Sequence, residues 1–312
     1  MKNEILAIVG ATASGKTEIS VKLAEILGGE IISADSRLVY QDFNIGAAKP
    51  DFEEMRGIPH YMIDINDPKD VYSAGRYKED AEKHIEDILS RNKIPIVVGG
   101  TGFYVKALLE GLDIPEIEPD EDLRMELYAL AQTQGKEAVH KLLQEVDPVS
   151  AEKIHPHNLP RMVRAIEVRH MSGKPFSELQ TKSEPKYNVF YAGLNTSDRN
   201  ILYDRINRRV LQMIDKGLVD EVKSLILKYG RTVSIMKTLG YKEICDYIEG
   251  NCALEEAIEK IQQNTRNFAK RQLTWFRGNK KIHWFYINKQ SQDEICREII
   301  EKYQMQKVYS NK

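Results

Sequence analysis

Cysteine, tryptophan and long apolar runs are all scarce in this chain of 312 residues. Its three cysteines, Cys245, Cys252 and Cys296, are too few and too widely spaced for a disulfide framework or for a zinc site with paired ligands. No apolar run approaches the length that crosses a bilayer, and the N-terminus carries no signal-peptide pattern. We therefore expect a cytoplasmic protein that has no membrane partner.

A large charge of one sign is missing as well, because 45 Lys and Arg nearly balance 47 Asp and Glu. The net charge of -2 argues against a protein that coats nucleic acid over its whole surface. One segment departs from this average, since no acid occurs between Ile261 and Lys281. Its basic residues are Arg266, Lys270, Arg271, Arg277, Lys280 and Lys281, with Trp275 and Phe276 among them. Charge alone is equally compatible with a solvated basic helix and with a nucleic-acid surface.

A phosphate-binding loop is the clearest motif that is present. An apolar, strand-like run from Ile5 to Val9 ends in the pattern GxxxxGK[ST], and a helical pattern follows at once. Such a loop curls backbone N–H groups around a phosphate at the start of a helix, while its lysine reaches the outer phosphate and its threonine offers a hydroxyl to Mg²⁺. The motif does not say which diphosphate is bound. The predicted diphosphate-binding residues are Gly10, Thr12, Ala13, Ser14, Gly15, Lys16 and Thr17, with Thr17 as the metal ligand.

Two further strands deliver polar residues to the same edge of the predicted sheet. Asp35 follows the strand-like segment from Glu30 to Ala34, and Thr101 follows a run that ends in Gly-Gly. Because ligands of open α/β sheets bind at the carboxyl ends of the strands, we expect Asp35 to lie near the phosphate loop. An ATPase or GTPase would place a Mg²⁺-binding acid where this chain has Gly-Gly-Thr. Arg209, on a later predicted helix, is a candidate to contact the phosphates.

The chain alternates between strand and helix patterns, except for one stretch of helical periodicity without strands. We therefore predict an α/β fold: a P-loop NTPase-like core with a parallel sheet flanked by helices, interrupted by an all-helical insertion domain. The predicted domains are residues 1–115, the first part of the core; residues 116–188, the insertion; and residues 189–312, the second part of the core.

Eight sequence blocks, in the same order from residue 10 to residue 277, resemble those of the bacterial tRNA dimethylallyltransferases. They read GATASGKT, SADSRLVY, GAAKP, YSAGRY, VGGTGFYVKALL, LYDRINRRV, LGYKE and TRNFAKRQLTWFR. The chain departs from the family pattern at Ala11, where proline is usual, at Ala47, where threonine is usual, and at His157-Asn158, where Asn-Asp is usual. None of these departures falls on a predicted catalytic or diphosphate-binding residue.

The resemblance implies transfer of the dimethylallyl group from dimethylallyl diphosphate to the exocyclic amine of the adenosine just 3′ of the anticodon. It implies that Asp35 is the general base, that Thr101 positions the adenine or its backbone, and that Arg209 holds the diphosphate with Mg²⁺ as cofactor. It further implies a monomer whose helical insertion clasps the anticodon stem-loop. The residues expected to contact tRNA are Asp35, Ser36, Arg37, Leu38, Thr101, Arg124, Leu159, Pro160, Arg161, Met162, Val163, Arg266, Lys270 and Arg271.

Two other functions use the same motifs. A P-loop kinase would bind ATP in the loop and use Asp35 on a hydroxyl acceptor, but it leaves the acid-free basic stretch unexplained. A nucleotide-gated RNA-binding module would need no base at Asp35. Transfer of a label from dimethylallyl diphosphate or from ATP distinguishes the three.

Overall fold

The computed structural model describes residues 3–115, 117–179, 181 and 183–310, without the side chains of residues 309 and 310. The predicted domain limits at residues 1, 116 and 312 lie outside these ranges. The chain divides into two compact units, Met1–Leu109 with Lys186–Lys312, and Glu110–Pro185. The second unit begins before residue 116 because the segments that enter and leave it are hydrogen-bonded to each other. The Asp113 N–H donates to the Thr181 carbonyl at 3.1 Å, and the Ser183 N–H donates to the Gly111 carbonyl at 2.9 Å.

A six-stranded sheet, all of whose strand pairs are parallel, forms the centre of the first unit. The strands are β1 (Asn3–Gly10), β2 (Gly29–Ser33), β3 (His60–Tyr61), β4 (Ile94–Gly99), β5 (Tyr187–Asn195) and β6 (Ile282–Tyr286). Their order in the sheet is β3-β2-β4-β1-β5-β6, so that the phosphate loop follows a central strand. The predicted fold class, a parallel sheet flanked by helices with a separate helical unit, is confirmed.

Fourteen α-helices occur in the described part of the chain, and most of them lie in the first unit. They are α1 (Lys16–Leu27), α2 (Phe52–Met55), α3 (Ala74–Ser90), α4 (Gly102–Leu109), α5 (Glu121–Gln134), α6 (Lys136–Val146), α7 (Pro148–Lys153), α8 (Leu159–Ser172), α9 (Phe176–Leu179), α10 (Arg199–Asp215), α11 (Leu218–Tyr229), α12 (Tyr241–Ile248), α13 (Leu254–Arg277) and α14 (Gln292–Ser310), with a 3-10 helix at Ser234–Lys237. None of the described helices is long and apolar enough to span a membrane.

Alternate residues of β1 supply the two halves of the core, because successive side chains of a strand point to opposite faces. Ile5, Ala7 and Val9 face a cluster that includes residues of α3, α4 and α10 to α13, whereas Leu6 and Ile8 face α1 and α14. All five side chains are fully buried. Burial on both faces explains why the sequence of β1 is continuously apolar.

A smaller cluster holds the phosphate loop against two helices from the second half of the chain. Ala11 packs with Leu202 and Ile206 of α10 and with Ala269 and Leu273 of α13. Each helix then presents a polar side chain three residues after one of these contacts, Arg209 after Ile206 and Gln272 after Ala269. This packing is what brings residues about 200 and 260 positions away to the phosphate loop.

The second unit has its own hydrophobic core, made by α5, α6, α7 and α8. The first turns of two of its helices carry capping aspartates: Asp120 accepts from the Leu123 N–H, and Asp147 accepts from the Ser150 N–H. The α8 helix ends at Gly173, whose φ of 70° is the left-handed conformation common at helix ends. The unit thus has the helical periodicity that the sequence predicted for it.

Candidate active site

The phosphate loop joins β1 directly to α1. Ala13 and Gly15 have φ angles of 61° and 82°, in the left-handed region, and the helix begins at the next residue, Lys16. This curl lets consecutive N–H groups face inward at the positive end of the helix dipole. The Ser14 hydroxyl is buried and has no hydrogen-bond partner in the structure. The loop is therefore shaped to bind the oxygens of an anionic group.

Lys16 is held at the loop by its own backbone. Its amine donates to the Ala11 carbonyl at 2.7 Å. Burial lowers the pKa of Lys16 to about 8, while the carboxylate of Asp35 acts to raise it and the guanidinium of Arg209 acts to lower it further. Burial thus disfavours the protonated, positively charged form of Lys16, and an anion bound beside the amine would stabilise that form.

The pH dependence of diphosphate binding follows from this pKa. An anion beside Lys16 favours its protonated form, so above about pH 8 binding requires uptake of a proton, and affinity is expected to fall by up to about tenfold per pH unit. Calorimetric titration with inorganic pyrophosphate between about pH 7 and pH 10 measures the slope. Lys16→Arg, whose guanidinium stays charged, is expected to have a flatter slope. An equal slope in the two proteins would contradict the assignment to Lys16.

Asp35 and Arg209 line the same cavity as the phosphate loop. This cavity, of about 90 Å³, is bounded by Thr12, Lys16, Thr17, Ser20, Ile31, Ser33, Asp35, Arg37, Leu38, Ala47, Ala48, Pro50, His60, Ile63, Val98, Gly99, Arg209, Phe268 and Gln272. One carboxylate oxygen of Asp35 accepts from the Arg37 N–H at 3.0 Å. The structure thus brings together the predicted base and the predicted diphosphate-binding side chains, at the edge of the sheet where the sequence placed them.

Arg209 reaches the phosphate loop from α10. Its guanidinium donates to the Thr12 hydroxyl at 3.3 Å. Burial lowers the pKa of Arg209, and the neighbouring Arg37 lowers it further, whereas Asp35 acts to raise it. With Lys16, three cationic side chains line the cavity and Asp35 is the one carboxylate among its lining residues. This excess of positive charge suits a ligand that carries several negative charges.

Thr101 has a structural role at the turn after β4. Its hydroxyl accepts from the Ser36 N–H at 3.0 Å, and its own N–H donates to the Ala34 carbonyl at 3.1 Å. These bonds tie the turn after β4 to the segment that carries Asp35. Arg37, in the same segment, donates to the carbonyls of Gly46 and Leu239. Ser36, Arg37 and Leu38 are all half-buried beside the cavity.

Gln272 is a site residue that the sequence analysis missed. Its side-chain oxygen accepts from the Thr12 N–H at 2.9 Å, and its amide donates to the Gly100 carbonyl at 2.9 Å. A Cβ at Gly100 would lie only 2.3 Å from this amide, so glycine is needed for the close approach. The single signal in the sequence was a polar residue on the apolar face of a helix, next to Leu273. Gln272 links the phosphate loop to the turn after β4 and so positions both.

The residues predicted to contact RNA in the second unit differ in exposure. The side chains of Met162 and Val163 are buried in the core of the unit, so the predicted RNA contact of this segment would be made by its backbone or by its exposed residues. Leu159 is half-buried, and Pro160 and Arg161 are exposed.

Arg124, also predicted to contact RNA, is held by an acid. Its guanidinium contacts the buried carboxylate of Glu167 at 2.7 Å, and Arg164 contacts the same carboxylate at 2.5 Å. The side chains of both arginines are 30% exposed. Glu167 therefore fixes two partly exposed cations on one side of the unit.

The basic stretch lies on α13 and just after it. Lys270 and Arg271 are exposed, whereas Arg266 is half-buried and donates to the side chain of Asn207 at 2.7 Å. Trp275 is exposed and Phe276 is buried. The stretch therefore combines a solvent-facing basic surface with a face that packs on the core.

Thr17 is the one predicted metal ligand. Its side chain is exposed at the start of α1 and lines both the 90 Å³ cavity and a wider cavity of about 1040 Å³ beside the loop. The described residues contain no group of three or more His, Cys, Asp or Glu that would hold a metal without further ligands. A hydroxyl next to a diphosphate site fits Mg²⁺, which prefers oxygen ligands and usually binds substrate phosphates and water.

Comparison with known proteins agrees with this geometry. A family model described as IPP transferase matches residues 38–279. A curated tRNA dimethylallyltransferase from Thermoanaerobacter sp. (strain X514) is 44% identical over 308 residues, which are 97% of this chain and 98% of that protein. The crystal structure of the full-length tRNA isopentenylpyrophosphate transferase from Bacillus halodurans is 41% identical, with a TM-score of 0.74 and 100% of both chains covered.

A more distant structure is similar as well. A eukaryotic dimethylallyltransferase, described as acting on tRNA, is 28% identical, with a TM-score of 0.76 and coverage of 91% of this chain and 74% of that one. The resemblance seen in the eight sequence blocks is thus confirmed over nearly the whole chain by independent comparisons of sequence and structure. The chain belongs to the IPP transferase family, whose curated relatives here are named tRNA dimethylallyltransferases.

Proposed function

We propose that this protein is a monomeric enzyme that transfers the dimethylallyl group of dimethylallyl diphosphate to the exocyclic amine of the adenosine 3′-adjacent to the anticodon of tRNA. The observation that carries the proposal is the convergence of Lys16, Asp35 and Arg209 on one cavity of about 90 Å³. Family membership and the names of the relatives support the choice of substrates. The acid-free basic surface of α13 supports an RNA substrate.

The reaction needs activation of a poor nucleophile, because the lone pair of the adenine amine is delocalised into the ring. Asp35 is the one carboxylate among the residues that line the cavity, and we assign it the role of proton acceptor. As the amine nitrogen bonds to the allylic carbon, the bond from that carbon to the diphosphate oxygen breaks and the amine proton passes to Asp35. The hydrogen bond from the Arg37 N–H orients the carboxylate.

The leaving group develops negative charge on the opposite side of the allylic carbon. The N–H groups of the phosphate loop, the amine of Lys16 and the guanidinium of Arg209 are the donors that we assign to that charge, and contacts within the protein hold Lys16 and Arg209 at the loop. They favour the transition state because they need little rearrangement as the bond breaks. Thr17 would hold Mg²⁺ together with diphosphate oxygens, and the bound ion would neutralise part of their charge.

The walls of the cavity also suit the donor. Ile31, Ile63, Val98 and Phe268 provide apolar surface beside the charged groups. A cavity lined by both apolar and cationic side chains suits a short isoprenoid attached to a diphosphate. The absence of an acid at the Gly99-Gly100-Thr101 turn agrees with a reaction in which no water attacks a terminal phosphate.

The second unit and α13 would bind the RNA. The partly exposed Arg124 and the exposed Arg161, Lys270 and Arg271 are the cations proposed to contact its phosphates. Such contacts release counterions, so tRNA binding is expected to weaken steeply with salt. The target base must leave its stack to reach Asp35, which costs less in a single-stranded loop.

Label transfer tests the proposal against its rivals. The protein is incubated with isotopically labelled dimethylallyl diphosphate or with γ-labelled ATP, each with and without unmodified tRNA. Label that moves from the prenyl donor to tRNA is the expected result. Label that moves from ATP to an acceptor would indicate a kinase, and RNA binding without transfer from either donor would indicate a binding module. Either of these two results would overturn the proposal.

A further inference from the structure

We propose that Trp275, together with Phe103, Lys106 and Arg271, forms a platform on which an unpaired nucleobase of the substrate RNA stacks. We call these four residues the Trp275 platform. The inference rests on the proposed RNA substrate and adds a contact outside the cavity that holds Asp35. Nucleobases stack on exposed aromatic side chains of proteins that bind single-stranded RNA, with cations nearby for the phosphates.

Trp275 of α13, and Phe103, which follows the Gly102 that the indole contacts, are both unusually open to solvent. Trp275 is 48% exposed and Phe103 is 38% exposed, whereas the next residues along the chain, Phe276 and Tyr104, are 3% and 6% exposed. In each pair of adjacent aromatic residues, one side chain is therefore buried in the core and the other lies at the surface. An exposed tryptophan is common where it contacts a ligand or a partner.

The indole is held in place although it is exposed. A Cβ at Gly102 would lie 2.1 Å from the Trp275 ring, so the ring rests on the backbone at the start of α4. Only glycine allows this contact. The Lys106 amine lies 6.0 Å from the centre of the indole, within the range of a cation–π contact. A side chain fixed in this way loses little conformational freedom when a base stacks on it.

The charge around the platform selects RNA over a protein or a membrane as its occupant. The Lys106 amine lies over the Trp275 ring, Arg271 lies one helical turn before Trp275 on α13, and no acid occurs in the sequence between Ile261 and Lys281. The Arg271 guanidinium lies 5.7 Å from the centre of the Phe268 ring, which itself lines the cavity. Positive charge interleaved with aromatic rings complements a single strand, whose bases stack and whose phosphates are anionic.

The platform is continuous with the catalytic cavity. Phe268, Arg271, Gln272 and Trp275 follow one another at helical spacing along one stripe of α13. Gln272 is anchored to Gly100, two residues before the glycine on which the indole rests. We therefore assign to the platform a nucleotide close to the target adenosine, whose stacking helps to hold the extruded base at Asp35.

Substitution of Trp275 tests this contact. Trp275→Ala is expected to raise the KM for tRNA about 10- to 100-fold, whereas kcat at saturating tRNA stays within about twofold. Trp275→Phe keeps an aromatic face and is expected to retain most of the affinity. Leu227→Ala, which removes another exposed apolar side chain, on α11, is the matched control and should leave the KM unchanged.

Tryptophan fluorescence distinguishes base stacking on Trp275 from a purely structural role of this residue. A stacked base quenches indole emission. An unmodified anticodon stem-loop, added without prenyl donor, should therefore quench the emission of the wild-type protein. The emission of Trp275→Phe, which retains only Trp284, should be quenched less. Equal quenching of the two proteins, or a wild-type KM in a folded Trp275→Ala, would overturn the inference. Quenching by RNA in a wild-type protein that transfers no prenyl group would contradict the proposed function and support base stacking.

Discussion

Asp35→Asn is expected to lower kcat about 10²- to 10⁴-fold and to leave the KM values for tRNA and for dimethylallyl diphosphate close to those of the wild type. The asparagine keeps the oxygen that accepts from the Arg37 N–H, so the turn after β2 retains its hydrogen bond. It cannot take a proton from the adenine amine. The loss therefore belongs to the chemical step, and single-turnover transfer of labelled prenyl group measures it.

Asp35→Ala extends the test, because it removes both the carboxylate and the bond to the turn. It is expected to retain tRNA affinity and to lose most of the turnover. Asp220→Ala, which removes an exposed aspartate of α11, is the control and should behave like the wild type. If the Asp35 variants lost tRNA binding and turnover to the same degree, Asp35 would be an RNA-binding residue and not the base.

Arg209→Ala is expected to lower the rate of transfer about 10²- to 10³-fold, equivalent to about 2.7–4 kcal/mol of transition-state stabilisation. Its guanidinium contacts Thr12 in the phosphate loop and is partly desolvated there. A charge in that setting acts more strongly on the departing diphosphate than it would in water. If Arg209 also binds the donor before reaction, as proposed, the KM for dimethylallyl diphosphate should rise as well.

The neighbouring arginine supplies the control for this prediction. Arg208 lies directly before Arg209 on α10 and carries the same charge, but its side chain is exposed. Arg208→Ala should therefore have a small effect that high salt removes. Steady-state kinetics of the two variants at low and high ionic strength measure the difference. If the two variants were equally impaired, the general positive potential of α10 and not the contact at Thr12 would account for the effect.

The sequence was sufficient for the parts of the site that depend on local structure. A phosphate loop is one continuous segment whose conformation follows from its glycines and from the strand and helix on either side, and Lys16 lies within it. The approach of Asp35 to this loop could be inferred because parallel strands end at a common edge. The remaining site residues were assigned from the resemblance to a family. The comparisons confirmed that the chain belongs to this family, and the roles of these residues stay predictions.

The tertiary structure decided which side of each helix is covered. Met162 and Val163, which the resemblance places where the family contacts RNA, have side chains that are buried in the core of the helical unit. On α13 the packing buries Phe276 and leaves the neighbouring Trp275 exposed. Gln272 gained its role from contacts with segments 172 and 260 residues away. Packing between such distant segments depends on the whole fold, and no local pattern in the sequence encodes it.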